Sequence, residues 1–218
     1  MVGSYNSDIL HCTVRWVFVI SLVGAGISLG AQQRFAAKGI AGFTASQIDG
    51  DQSAGYHKVG LQAGLGVEAA LKEKQSASLE LLFSQRGARN QPQIPPAFSV
   101  TLDYIEIPVQ WHYSDWLMEG EGRSPDWYRV RFNTGLSYSY LLEIRDKYEN
   151  TSFPAAFPYF TRNTVAFVVG ATFYATEHFG FTFRYNRPLH FLYRPGEGRP
   201  LRNSLYEHYL AFQVNYKL

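Results

Sequence analysis

The chain contains one cysteine, Cys12, so no internal disulfide can form, and stability must come from a sizeable core or from hydrogen-bonded closure in a membrane. Charge of a single sign is also scarce. The formal net charge is +2, and no basic run with interleaved aromatics occurs, which argues against a nucleic-acid partner. Long apolar runs are missing too: the uncharged stretch Trp16 to Leu29 falls short of the roughly 20 residues that a membrane-spanning helix needs. No amphipathic helix of convincing length, internal repeat, low-complexity tract or interdomain linker appears. What the chain has in quantity is rings: 16% of residues are aromatic against 17% charged.

Arg15 followed by an apolar stretch and the small residues Leu29-Gly30-Ala31 has the layout of a secretory signal peptide. Residues 1–31 are therefore expected to be an export peptide and 32–218 one β-barrel domain. The segment ahead of Arg15 is long for such a peptide, which points to a start downstream of Met1. Cys12 does not stand in a lipoprotein-like Leu-x-Gly-Cys setting, and its loss with the peptide would leave a cysteine-free chain of a length that suits one domain or one closed barrel.

In "KVGLQAGLGVEAAL", Lys58 to Leu71, Val59, Leu61, Leu65 and Val67 alternate with Gly60, Gln62, Gly64, Gly66 and Glu68, the period-two pattern of a half-buried strand. The same scan predicts eight strands: Ala37 to Gln47, Lys58 to Leu71, Ser76 to Arg86, Leu102 to Tyr113, Trp127 to Leu142, Thr164 to Ala175, Phe179 to Asn186 and His208 to Leu218. The joints alternate. Ile48 to His57, Gly87 to Ser99, Glu143 to Asn163 and Arg187 to Ser204 are long, whereas "KEKQSA" and "TEHF" are tight. An even-stranded outer-membrane barrel has this rhythm, with both termini on the short-turn side. Ser114 to Asp126 is long for a short-side turn.

Alternation alone leaves open which face is wet, since the apolar face of a soluble lipocalin-like barrel or sandwich is its core. Three features favour lipid on the apolar side. The polar faces carry Glu68, Glu80 and Glu106 against Arg129, Arg131 and Arg184, a pairing suited to a crowded interior of bidentate bonds. Gly60, Gly64, Gly66 and Gly135 on the same faces would make room for long side chains. Rings cluster near strand ends, with Trp111, Tyr113, Trp116, Trp127 and Tyr128 at one joint and Tyr138, Tyr140, Tyr185, Tyr206 and Tyr209 towards the other rim, as aromatic girdles do. A basic side chain facing lipid at mid-depth costs about 2–4 kcal/mol, so the charged faces must point inward. The expected fold is an all-β, eight-stranded antiparallel up-and-down transmembrane barrel.

"SQIDGD" (Ser46 to Asp51), "LLFSQRG" (Leu81 to Gly87), "LDYIEIP" (Leu102 to Pro108) and "GLSYSYLL" (Gly135 to Leu142) stand in the order typical of PorT-like outer-membrane barrels of Bacteroidetes, which the chain resembles over most of its mature length. The resemblance implies a small barrel in the cell envelope. The founding member is implicated in type IX protein secretion, while most members have no assigned activity, and no catalytic set is transferred.

Catalytic chemistry needs converging residues, and His57, His112, His178, His190 and His208 are scattered without metal-ligand spacing. Asp49 and Asp51 of "IDGD" lack the further acidic ligands of a calcium loop, and a turn with Gly50 at positive φ is the simpler reading. The chain is thus read as non-enzymatic, without cofactor or metal. Glu68, Glu80, Glu106, Arg129, Arg131 and Arg184 are expected to form an interior network that plugs the barrel. Tyr148, Phe153, Phe157, Tyr159, Phe160, Phe191, Tyr193 and Arg194 in the two longest loops form a candidate binding rim. The expected partners are outer-membrane lipid and another envelope or secretion-system protein; a small solute pore is the alternative.

Overall fold

The computed structural model describes residues 35–50, 55–90, 98–119, 126–147 and 154–218. The expected export peptide, Cys12 and two of the candidate rim residues, Tyr148 and Phe153, lie outside them. Eight strands follow in chain order: β1 (Phe35–Asp49), β2 (Lys58–Lys72), β3 (Gln75–Arg89), β4 (Ser99–Met118), β5 (Trp127–Asp146), β6 (Asn163–Tyr174), β7 (Phe179–Pro188) and β8 (Tyr206–Lys217). Each pairs with its sequence neighbour, and the sheet closes into a barrel. Closure is made by β1 against β8, antiparallel from Lys38↔Lys217 to Asp49↔Tyr206. Among the described residues the sheet therefore has no open edge, as strands in hydrocarbon require.

Side-chain alternation resolves the question of the two faces. Leu65 is 70% exposed, and Val59, Leu61, Leu81, Val109, Leu136 and Phe181 stand out from the wall with it. Their neighbours Gln62, Glu80, Glu106, Gln110, Ser137 and Arg184 are buried inside. A soluble carrier would need the reverse. On the outer wall Phe43 and Phe212 face each other in register and stack with centroids 5.0 Å apart, with Phe183 against Phe212 at 5.2 Å.

The two middle strands run beyond their expected ends. Ser114 to Met118 continue β4 and pair with Trp127 to Arg131 of β5, so the joint expected from Ser114 contracts to residues 119–126. At the opposite end Glu143 to Asp146 continue β5 along Val100 to Asp103, past a register shift beside Tyr104. Strand pairing overrides the polar composition that marks these stretches as loops. A six-residue 3-10 helix, Pro154–Tyr159, also stands inside the segment expected to be loop. Gly50 does take positive φ, at 97°. A Cβ there would collide with the Ser204 carbonyl, so this turn brings β1 against the loop that leads into β8.

Two girdle and spacing expectations need correction. Tyr209 is buried in the lumen rather than set in the outer girdle, because β8 places odd positions inward. Gly66 does make room for side chains, those of Lys38 and Glu80, whereas Gly60, Gly64 and Gly135 lie against backbone carbonyls of the neighbouring strand.

Replacing Leu65 by Arg puts a cation in the middle of the exposed apolar stripe of β2. The expected loss is about 2–4 kcal/mol, read from denaturant unfolding in lipid vesicles; a loss below 0.5 kcal/mol would contradict the lipid-facing assignment.

Candidate functional site

Narrowness is the first fact about the lumen: an eight-stranded barrel is just wide enough for its own side chains to fill. In the half nearer the short turns, this barrel fills it with ion pairs that cross from wall to wall. Glu80 on β3 receives Arg184 from β7 through two bonds, of 2.6 and 2.8 Å, and Lys38 from β1 at 2.6 Å. The paired forks of carboxylate and guanidinium give this contact both strength and direction. Glu68 on β2 receives Arg131 from β5 at 2.6 Å, and the Arg131 Nε donates to Ser114 Oγ at 3.2 Å. The three ion pairs tie strands that are not neighbours in the sheet, whereas the Ser114 bond joins the adjacent β4 and β5.

A third carboxylate sits at mid-height. Glu106 on β4 pairs with Arg86 on β3, and it accepts bonds from Ser137 at 2.6 Å, Tyr209 at 2.7 Å and Gln62 at 3.2 Å. The Arg86 guanidinium lies over the ring of Tyr209 at 3.9 Å and that of Tyr104 at 4.6 Å, a cation–π arrangement that gains strength away from water. Tyr104 in turn donates to Glu207 at 2.9 Å. With Arg86 only 1% exposed, its charge is held by one carboxylate, two ring faces and the hydroxyls of Ser84 and Ser139.

Above this the lumen turns apolar. Ile48, Ala88, Val100, Leu102, Tyr104 and Leu141 point inward from the loop-side strand ends and pack with Phe98, Ala156, Phe160, Leu192, Tyr193 and Leu205 in one buried cluster. The last five come from the two long loops, 147–162 and 189–205. Those loops are pinned where they enter: Thr161 N donates to the Leu192 carbonyl at 2.8 Å, Tyr193 pairs with Leu205 as an isolated bridge, and Tyr193 OH bonds the Leu201 carbonyl at 3.1 Å. The ring of Phe160 meets Tyr193 at 6.2 Å and Phe157 at 5.5 Å.

Of the six residues expected in the interior network, Glu68, Glu80, Glu106, Arg131 and Arg184 are buried in the lumen. Arg129 is not part of it. Its guanidinium lies among the rings of Trp116, Trp127 and Phe173, at 5.4, 5.9 and 5.8 Å, beside Trp116 whose φ of 60° breaks the regular strand and brings the ring round to it. The rim residues divide. Phe160 and Tyr193 are buried in the plug and Phe157 is partly so, because inward-facing Val100, Leu102 and Leu141 leave an apolar mouth that water would otherwise touch. Tyr159, Phe191 and Arg194 are exposed, with Arg199 over Tyr159 at 5.3 Å and Arg194 over Phe191 at 5.2 Å. Lys38, Arg86, Tyr104, Glu207 and Tyr209 complete the interior without having been expected in it. Arg86 and Tyr104 stand on polar faces that alternation identifies, whereas Glu207 precedes the predicted start of the last strand. Among the described residues no group of acidic, histidine and cysteine side chains has the makings of a metal site.

A closed eight-stranded antiparallel barrel with an apolar wall, a charge-paired lumen and long loops at one end defines an outer-membrane barrel protein. The chain belongs to the outer membrane protein beta-barrel domain family, whose model matches residues 30–194, and the outer membrane is its location. No curated protein matches it. Solved structures similar to it include Ail, the attachment invasion locus protein of Yersinia pestis, at 11% identity over 85% of this chain and 99% of that one, TM-score 0.42. OprG from Pseudomonas aeruginosa is similar at 12% identity over 85% and 97%, TM-score 0.42. Neisserial surface protein A is similar at 10% identity over 84% and 97%, TM-score 0.39.

Removing one member of the Arg86–Glu106 pair leaves the other charge buried without its ion partner, which costs about 3–5 kcal/mol. Arg86→Met and Glu106→Gln are each expected to destabilise by that order, and the double variant by clearly less than their sum. Unfolding of the four proteins in lipid vesicles gives the coupling; strict additivity would mean the pair does not act as a unit.

Proposed function

We propose that this protein is a closed, non-enzymatic outer-membrane barrel, exported through the peptide of residues 1–31, that offers its two long loops to another envelope or secretion-system protein. The observation that carries this reading is the double role of the plug. Phe160 and Tyr193 fill the barrel mouth, and by doing so they fix the backbone on which the exposed Tyr159, Phe191 and Arg194 stand. A binding surface held in place before contact loses less conformational freedom when a partner arrives. The finer likeness, to PorT-like barrels of Bacteroidetes, rests on the four motifs quoted above, and it supports an envelope partner without naming one.

A small solute pore is the second reading, favoured by one observation. In the turn-side half of the lumen Ser76 Oγ, Gln110 Nε2, His112 Nδ1 and Asn133 Oδ1 are buried without a hydrogen-bond partner among the described residues, and such groups are ordinarily met by water. Hydration there does not make a channel, since the apolar cluster bars the other half.

Planar-bilayer recording and cross-linking decide between them. The wild-type protein is expected to show no steady unitary conductance. A photo-cross-linker at Tyr159 or Phe191 is expected to capture a discrete envelope protein that the same probe at Tyr128, on the turn side, does not capture. Steady conductance by the wild type, with no loop-specific adduct, would favour the pore.

A further inference from the structure

We infer that the outer wall at the loop end holds the phosphate-bearing headgroup of a lipid from the surrounding leaflet. The site is a cleft of about 320 Å³ whose lining includes Lys58, Val59, Ser99, Thr101, Arg145 and Lys147. It rests on the lipid-facing wall and not on the loop-partner reading, so the two can fail separately.

Strand register places the cleft at the edge of the apolar band. Along β4 the outward positions Trp111, Val109, Ile107 and Ile105 are followed at the same parity by Asp103, Thr101 and Ser99, of which Thr101 is partly exposed and Asp103 and Ser99 are covered by their neighbours. Across the ladder, β5 changes at the same height: Ile107↔Tyr138 and Ile105↔Tyr140 give way to Asp103↔Glu143 and Thr101↔Arg145. Lys58 at the start of β2 reaches over β3 to donate from Nζ to Thr101 Oγ1 at 2.6 Å. A cation from β2 is thereby brought onto the polar column of β4.

Basic side chains predominate in the lining. Arg89, Arg145 and Lys147 all lie near enough to Lys58 to repel it, with Asp103 attracting. Asp103 is already engaged, accepting from Arg145 and from Gln85 at 3.1 Å; Arg145 also stands 3.7 Å from Glu143, and Asp146 is the third carboxylate nearby. Among the described residues the cleft is thus lined by three cations, Lys58, Arg145 and Lys147, and one carboxylate, Asp146, and Lys58 bonds the Thr101 hydroxyl in it. Phosphate oxygens bridge cations of this kind through charge-assisted bonds, with Ser99 and Thr101 as neutral donors beside them.

The surface beneath says why the phosphate should belong to a lipid. Val59 and Leu61 on β2 are 63% and 65% exposed, and Phe83 on β3 also faces out. An amphiphile whose headgroup sits in the cleft lays its acyl chains along these side chains. A free anion makes no use of them, and a protein partner would meet the loops first.

The test uses the full-length protein in dodecylmaltoside, with diphosphoryl lipid A, the same lipid without phosphates, and inorganic phosphate as the three probes. Lipid retention is read by native mass spectrometry, and protection by the temperature at which the heat-dependent gel shift occurs. Diphosphoryl lipid A is expected to be retained and to raise that temperature. The Lys58→Gln/Lys147→Gln protein is expected to bind it at least about tenfold more weakly, the equivalent of one lost charge-assisted bond, while Lys72→Gln/Lys74→Gln at the turn end binds as the wild type. Equal retention of the phosphate-free lipid, equal protection by inorganic phosphate, or undiminished affinity in the cleft variant would overturn the inference. If the double variant does not fold, Lys147→Gln alone, at an exposed position, carries the same expectation.

Discussion

A backbone amide left unpaired in hydrocarbon costs several kcal/mol, and the β1–β8 ladder is what spares this chain that cost along two whole strands. Everything else in the molecule is a consequence of closing a sheet of eight strands. Closure fixes a lumen only wide enough for side chains. The strict alternation of the strands then sends every second residue into that space, whatever its chemistry. The long polar side chains of Lys38, Arg86, Arg131 and Arg184 therefore have nowhere to go but across the barrel, where carboxylates must meet them.

A buried ion pair is a poor source of net stability, since the desolvation of both charges consumes much of their attraction. Its value here is geometric. Glu80 bonds to side chains from β1 and β7, and Glu68 to one from β5, so each pair is compatible with one register of the ladder and penalises others. A register slip of one residue would turn Glu80 and Arg184 towards lipid and bring Leu79 and Phe183 inside. The apolar cluster at the loop end carries no such directional demand, and that is where the structure admits side chains from loops. Specification by charge below and filling by shape above divide one lumen between two kinds of packing.

The faces of the strands were legible in the sequence because period two is a direct signature of a sheet with unlike sides, and the cost of arginine in lipid decides which side is which. Glu68, Glu80, Glu106, Arg131 and Arg184 follow from that argument alone. What alternation could not supply is the state of the ends. Ser114 to Met118 and Glu143 to Asp146 read as loop from their polar and acidic composition, yet outside the hydrocarbon a strand is free to continue with polar side chains, and the ladder does so. Arg129 shares the alternation of that face but not its network, and the rings of Trp116, Trp127 and Phe173 stand round its guanidinium where a carboxylate was expected. Ring content likewise could not tell Phe160 from Tyr159, adjacent residues of which one closes the barrel and the other faces water.

A lumen crossed by ion pairs at one end and packed with apolar side chains at the other puts weight on the exterior of such a protein. Ion pairs bound to one another inside and an apolar cluster at the mouth leave the outward surfaces as the places where the barrel meets its surroundings. Those surfaces are of two kinds. The loop rim stands in water and carries rings backed by a packed plug, a combination suited to burying area against another protein. The wall beneath it meets the leaflet, where the change from apolar to charged columns at Asp103 and Thr101 matches the change in the membrane itself from acyl chain to headgroup. The register that pairs Thr101 with Arg145 and the closure that pairs β1 with β8 are products of one constraint, the need to leave no strand unpaired. The position of the cationic cleft relative to the membrane is therefore set by the same hydrogen bonds that hold the barrel shut.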